Sequence, residues 1–186
     1  MRHTLAVLVA NQPGVLARVA GLFSRRGFNI DSLAVGPTQD PSVSRMTIAV
    51  EGDERLVEQV SKQLNKLVDV IKVSDLSPED SVSRELALIK VQVAAASQPA
   101  VLQIVEMFRA KVVDVGSHSL IIEATGAGAK MEAILEMLRR FGLVEVVRTG
   151  TIAMQRGGTG ANGRRTQYAT GEGADGQDLL RVRLQS

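Results

Sequence analysis

The 186-residue chain contains no cysteine and no tryptophan, and only two histidines, His3 and His118. Without cysteine there can be no disulfide, no thiolate metal site and no Cys nucleophile. Two histidines far apart in the chain cannot build a Cys/His zinc cluster, and no run of carboxylates substitutes for one. Aromatics are scarce, at one Tyr and four Phe. Phe23, Phe108 and Phe141 fall on the inward stripes of predicted helices, which leaves no strand aromatics of the kind that an RNA-recognition sheet stacks bases on. Neither sign of charge dominates, with 22 Lys and Arg against 20 Asp and Glu. A basic footprint for nucleic acid is therefore missing. No apolar run approaches the roughly 18 residues that a membrane-spanning helix needs, and the first ten residues run into Asn11 with no cleavage-like site. These absences predict a cytoplasmic protein with neither a nucleic-acid nor a membrane partner. A catalytic nucleophile, an acid/base pair and a metal cluster cannot be assembled either, so a non-enzyme is expected.

Hydrophobic residues make up 45% of the chain, enough for one domain or two small ones. His3 to Ala10 is short, apolar and turn-bounded, as a buried strand is. A helix follows, with Pro13 suited to its first turn, Val15, Val19 and Phe23 at four-residue spacing, and Gly27 at its stop. Phe28 to Val35 reads as a second strand and Gly36 to Ser42 as a hairpin loop. In the third strand Met46, Ile48 and Val50 alternate with Arg45, Thr47, Ala49 and Glu51, which predicts one core face and one solvent face. Asp53 caps a helix whose stripe is Leu56 or Val57, Val60, Leu64 and Leu67, and Val68 to Val73 is the fourth strand.

Ser, Pro and acidic residues then mark a linker over 77–83, with a boundary near Pro78. Beyond it the same order begins again: a strand from Leu86 to Ala94, a helix opened by Pro99 with Val101, Leu102, Val105 and Phe108 inward, and a strand pair at Lys111 to Val115 and Leu120 to Thr125. A helix carrying Met131, Ile134, Leu135, Leu138 and Phe141 ends at Gly142, and Val144 to Met154 is the last strand. The prediction is an α+β protein of two ferredoxin-like βαββαβ domains, 1–76 and 84–156, related by an internal repeat. A sheet covered by helices on one face has a second face or an edge to offer a partner. From Arg156 to Gln177 seven glycines and almost no large apolar residue predict a disordered tail over 157–186. Its last nine residues fit a short docking strand or no ordered structure.

One turn has the composition of a ligand site. Asn11-Gln12-Pro13-Gly14-Val15-Leu16 joins the first strand to the first helix, where unpaired amides meet the positive end of the helix dipole and Gly14 lets a small anion approach. By itself this is also ordinary helix-start chemistry, and no Lys followed by Ser or Thr makes it a nucleotide loop. The run from Arg18 to Leu33 extends the pattern through Phe23-Ser24-Arg25-Arg26-Gly27-Phe28-Asn29-Ile30-Asp31-Ser32. With Val35-Gly36-Pro37-Thr38, Asp40-Pro41, Ser44-Arg45-Met46-Thr47 and Gln63 to Val70, the N-terminal half resembles the small subunit of acetolactate synthase (acetohydroxyacid synthase), whose first domain is an ACT domain. The resemblance covers about residues 1–155. It is weaker in the second half, where Arg84-Glu85-Leu86, Phe108-Arg109-Ala110 and Val113-Asp114-Val115 carry it, and it gives no role to the tail.

The resemblance implies a non-catalytic regulatory subunit that pairs with itself through its ACT domains, associates with a catalytic large subunit and confers feedback inhibition by valine or another branched-chain amino acid. Thiamine diphosphate, magnesium and FAD would belong to that catalytic partner, with no cofactor in this chain. Carried onto this sequence, Asn11, Gly14, Val15 and Leu16 of one protomer and Asn29 and Ile30 of the other would hold the amino acid. Amides at Gly14 and Val15 suit its carboxylate, an Asn11 or Asn29 carbonyl its ammonium, and Ile30 its apolar side chain. Leu16 and Ile30 also fit ordinary core, and Arg18, Arg25 and Arg26 read as a solvated helix face. A different partner for the same type of sensor is the alternative.

Overall fold

The computed structural model of the chain describes residues 1–76 and 81–157. The first half comprises β1 (Arg2–Ala10), α1 (Val15–Arg26), β2 (Ser32–Pro37), β3 (Val43–Glu51), α2 (Glu54–Leu64) and β4 (Val70–Asp75). Its four strands lie in the order β2-β3-β1-β4, each pair antiparallel. Alternation puts Leu5, Val7 and Val9 of β1 and Met46, Ile48 and Val50 of β3 on one face. Val15, Val19, Leu22 and Phe23 of α1 and Val57, Val60 and Leu64 of α2 close over it. Each such side chain contributes about 1.5–3 kcal/mol by leaving water. Phe23 meets Phe28 edge-to-face at 6.3 Å, which fixes the exit of the chain from α1.

The second half repeats this with β5 (Ser81–Gln92), α3 (Gln98–Met107), β6 (Lys111–Val115), β7 (Ser119–Gly126), α4 (Gly128–Arg139) and β8 (Leu143–Arg148), strand order β6-β7-β5-β8. Even the irregularities recur. The pairing of β1 with β4 slips between Leu8 and Val9, and that of β5 with β8 slips between Lys90 and Val91. Two ferredoxin-like α+β units are thus present, as the hydrophobic periods predict.

The structure corrects several boundaries. The linker expected over 77–83 is shortened, because Ser81, Val82 and Ser83 already belong to β5; residues 77–80, with Pro78, and the predicted tail from residue 158 onward lie outside the described residues. The single last strand expected over Val144 to Met154 is two, β8 and β9 (Ile152–Gln155), separated by a turn at Gly150. The second strand begins at Ser32 rather than Phe28, since Phe28 and Ile30 are drawn down onto the core before pairing starts. Pro13 precedes α1 instead of occupying its first turn. In α3 Leu102 is largely exposed and Ile104 takes the inward place.

The face of the first sheet expected to meet solvent is covered by the chain itself. Ala6, Thr47 and Ala49 point away from the helices yet are buried. β9 pairs with the first four residues of β5, Ser81 to Arg84, as a two-stranded ribbon, and Ala153 of that ribbon packs with Ala6 and Leu76. Arg45 donates to the Ala153 carbonyl at 2.7 Å. One strand, β5, therefore begins against the first unit and ends as a central strand of the second.

Candidate ligand site

The turn between β1 and α1 is held open by its own hydrogen bonds. The Asn11 amide donates to the Ser42 carbonyl at 2.7 Å and its side-chain amide to the Pro41 carbonyl at 2.8 Å, so the loop is tied to the start of β3. Asn11 is exposed, and its Oδ1 remains available as an acceptor. Gly14 stands at the N-cap of α1 with φ +84°, in the left-handed region where a side chain is strained, and no side chain caps the helix. The first turn of α1 carries no Asp or Glu. The Val15 amide makes only a long 3.4 Å bond to the Gln12 carbonyl, so the positive end of the helix dipole remains suited to an anion supplied from outside.

A cation flanks this turn. Arg18, one helical turn beyond Gly14, reaches back so that its Nη1 would lie 3.2 Å from a Cβ placed on Gly14. Its Nε donates to Asp69 at 2.6 Å, and this hydrogen bond raises the guanidinium's pKa above its ordinary value. Arg18 is thus solvated, as the helix pattern reads it, but also tethered in place by Asp69. The signal was present in the four-residue spacing from Gly14, because helical side chains lean toward the N-terminus. The acidic partner, Asp69, comes from the turn before β4 and could be identified only from the fold. Arg26 reaches Gln63 at 3.4 Å.

The other predicted contacts divide between surface and core. Val15 is buried in the core, so only its backbone remains for a ligand. Leu16, which also fitted the core, is 45% exposed beside the turn and offers an apolar surface. Asn29 is exposed and its side-chain amide donates to Asp31 at 2.9 Å, which again leaves its Oδ1 available as an acceptor. Ile30 is half-buried against the core. The Asn11–Leu16 turn and the Asn29–Ile30 segment flank the two ends of α1, one before its first residue and the other beyond Gly27.

Three clefts lie elsewhere. One of about 520 Å³ between the halves is lined by Arg2, Asp31, Ser32, Glu85, Glu132 and Arg148 among others. Its charges are internally matched: Arg148 holds buried Glu85 at 2.5 and 2.9 Å and Glu132 at 2.8 Å. The Glu85 contact foremost keeps Arg148 protonated, its pKa raised. A second, more apolar cleft of about 460 Å³ runs from Val35 and Pro37 of β2 to Ile152 and Met154 of β9. The third, about 370 Å³, contains exposed His118, Ser97 and Arg140, the last stacked 4.8 Å over Phe141. His3 Nδ1 lies 3.9 Å from Asp75. No group of three His, Asp or Glu that could hold a metal occurs among the described residues, and no helix among them is long and apolar enough to cross a membrane.

Residues 5–72 match the family described as the AHAS small subunit-like ACT domain, and residues 84–157 the family described as the small subunit of acetolactate synthase. A probable acetolactate synthase small subunit of Archaeoglobus fulgidus is 55% identical over 157 residues, covering 84% of this chain and 98% of that one. An acetolactate synthase small subunit of Mycobacterium bovis is 55% identical over 158 residues, covering 85% and 94%. The crystal structure of a small subunit of acetolactate synthase from Thermotoga maritima superposes with a TM-score of 0.77 at 46% identity, over 84% of this chain and 98% of that one.

Proposed function

The chain belongs to the acetolactate synthase small-subunit family, with an ACT domain as its first unit, and on that premise we propose that it is a non-catalytic regulatory subunit. It associates with the catalytic large subunit, raises its activity and makes it sensitive to valine or another branched-chain amino acid. Thiamine diphosphate, magnesium and FAD are held by that partner. The observation that carries the reading is the start of α1 at Gly14, which no side chain caps and which lies beside the Arg18 guanidinium. A free amino acid offers a carboxylate for this end and an ammonium for the side-chain carbonyls of Asn11 and Asn29. Leu16 and Ile30 supply apolar surface for a short branched side chain, and the Val15 amide, held only by its 3.4 Å bond to the Gln12 carbonyl, joins that of Gly14.

The site is completed by a second copy. Both β2 and β4 are edges of the first sheet. Each edge exposes one large apolar side chain, Val35 on β2 and Ile71 on β4, but β4 also carries Lys72 and Asp75, charges that discourage pairing, whereas β2 (Ser32–Pro37) carries none. Pairing of two copies at β2 brings the Asn29–Ile30 segment to the interface, as a site shared between protomers requires. On this reading residues 1–76 sense and dimerise, and 84–156 form the second functional unit.

The test is reconstitution. The chain should copurify with a thiamine-diphosphate-dependent large subunit and raise acetolactate formation, and valine should then lower it. Failure to associate or to respond to any branched-chain amino acid would overturn the proposal. Gly14→Asp sets a carboxylate where the ligand's own must lie, on a residue type that tolerates φ > 0 better than most. Valine sensitivity should be lost and association kept; retained inhibition would remove the turn from the site.

A further inference from the structure

The segment proposed to touch the amino acid runs directly into the best-fitted contact between the two units. Asn29 donates to Asp31 at 2.9 Å, the Asp31 amide donates to the Ala49 carbonyl at 3.0 Å, and the next residue, Ser32, accepts from the Thr151 amide at 2.8 Å through its hydroxyl. Thr151 is buried and belongs to the turn between β8 and β9. That turn is seated without slack. Gly150 has φ +80°, and a Cβ there would stand 2.8 Å from Ser32 Oγ and 3.2 Å from the Leu33 carbonyl oxygen.

On its other side the same turn is anchored in the second sheet. The Thr149 amide donates to the Leu86 carbonyl at 3.0 Å and its hydroxyl accepts from the Leu86 amide at 3.1 Å, while the preceding residue, Arg148, grips Glu85. Three consecutive residues, Thr149 to Thr151, thus touch β2 of the sensing unit and β5 of the second. Among the described residues, further polar bridges start elsewhere on the first sheet, from Arg2 of β1 to Thr151 at 3.4 Å and from Arg45 of β3 to Ala153.

We infer that the Ser32 to Thr151 hydrogen bond, seated by Gly150, is the contact through which amino-acid occupancy at Asn29 and Ile30 is transmitted to the second unit. The inference rests on the regulatory reading above. A ligand shifts an equilibrium only by binding its states differently, and this contact supplies a discrete difference. Movement of the Asn29–Ser32 backbone by a few tenths of an ångström changes the length of this 2.8 Å bond, at a close approach that only a residue without a Cβ, Gly150, permits. Ser32 and Thr151 are positioning residues, outside the amino-acid site itself.

The experiment uses the reconstituted holoenzyme and the full-length small subunit, with valine as the probe. In Ser32→Ala the half-inhibitory valine concentration should rise by about fivefold or more, in the range of ordinary allosteric coupling. Valine binding to the isolated small subunit, by calorimetry, should change by less than about twofold, and activity without valine should persist. Wild-type inhibition in Ser32→Ala overturns the inference, as does equal loss of binding and inhibition, which would make Ser32 part of the site. Hydrogen exchange on the wild-type chain gives a measurement independent of any variant: valine should slow exchange at residues 149–153 as well as at 11–16 and 29–31. Protection confined to 11–16 and 29–31 overturns the coupling alone, whereas a wild-type chain that binds no branched-chain amino acid overturns the regulatory reading and the coupling with it.

Discussion

The two units share their element order, strand order and the position of a bulge, yet their first strand-to-helix turns have opposite chemistry. Neither α1 nor α3 has a side-chain cap, but in the first turn Gly14 is left-handed and Arg18 stands beside the helix start. In the second, the turn closes on itself. The Ala94 amide donates to Ser97 Oγ at 3.1 Å, that hydroxyl returns a bond to the Ala94 carbonyl at 3.0 Å, and Pro99 removes an amide from the helix start. A repeated fold can therefore keep its packing while the chemistry of one turn changes. Packing depends on a stripe of apolar residues, whereas an anion site depends on donors left unpaired.

The comparison is tested most severely through the two cores. Phe23→Ala should lower the unfolding free energy by about 3–5 kcal/mol and Leu138→Ala by about 2–5 kcal/mol, read by urea denaturation followed by circular dichroism. Both should shift one shared transition, because Ala6, Leu76 and Ala153 pack the units together. Two separate transitions would break the picture of a ribbon that binds the halves.

A smaller effect distinguishes the second helix of each unit. Asp53 caps α2 by accepting from the Leu56 amide at 2.8 Å, while α4 begins after Ala127, extended at φ −76° and ψ 161° with no side-chain acceptor. Asp53→Ala should cost about 1 kcal/mol, and Ala127→Ser should gain about 0.5–1 kcal/mol, by thermal unfolding. No gain at Ala127 would show that this helix start is already satisfied.

The smallest difference is in the hairpins. Asp40 accepts from the hydroxyl and amide of Ser42, and the hydroxyl bond first of all lowers its pKa. A carboxyl with a depressed folded pKa stabilises above its unfolded value, about 3.9, and loses that contribution as pH falls through the folded value. The corresponding turn of the second unit is closed by the Gly116 amide on the Ser119 carbonyl at 2.8 Å. Below the ordinary carboxylate range, amide exchange at Ser42 should therefore quicken relative to Gly116, and Asp40→Asn should remove the difference.

Much of this was legible beforehand, for identifiable reasons. Gly27 as a stop, Asp53 as a cap and Met46, Ile48 and Val50 as a buried row follow from local geometry and periodicity. The misplaced elements are those decided by distant residues. Alternation in β3 puts Thr47 and Ala49 on the far face, but nothing near them in sequence says that β9 will cover it. Leu102 and Ile104 are equally apolar, and only the packing of α3 against α4 and the sheet chose Ile104. Within the candidate site, the turn was read from Pro13-Gly14, whereas the distinction between core Val15 and exposed Leu16 came from their side of α1.

From sequence alone came two α+β units in repeat, their helix ends and the turn at Gly14, because each depends on residues within about one turn of one another. The fold alone decided that Asp69 holds Arg18 over that turn, that the first sheet's open face is covered by its own chain, and that Ser32 meets Thr151. These contacts join residues 51 to 119 positions apart. Closing such loops costs entropy that no local preference repays, so they exist only because the two packed cores hold them within reach.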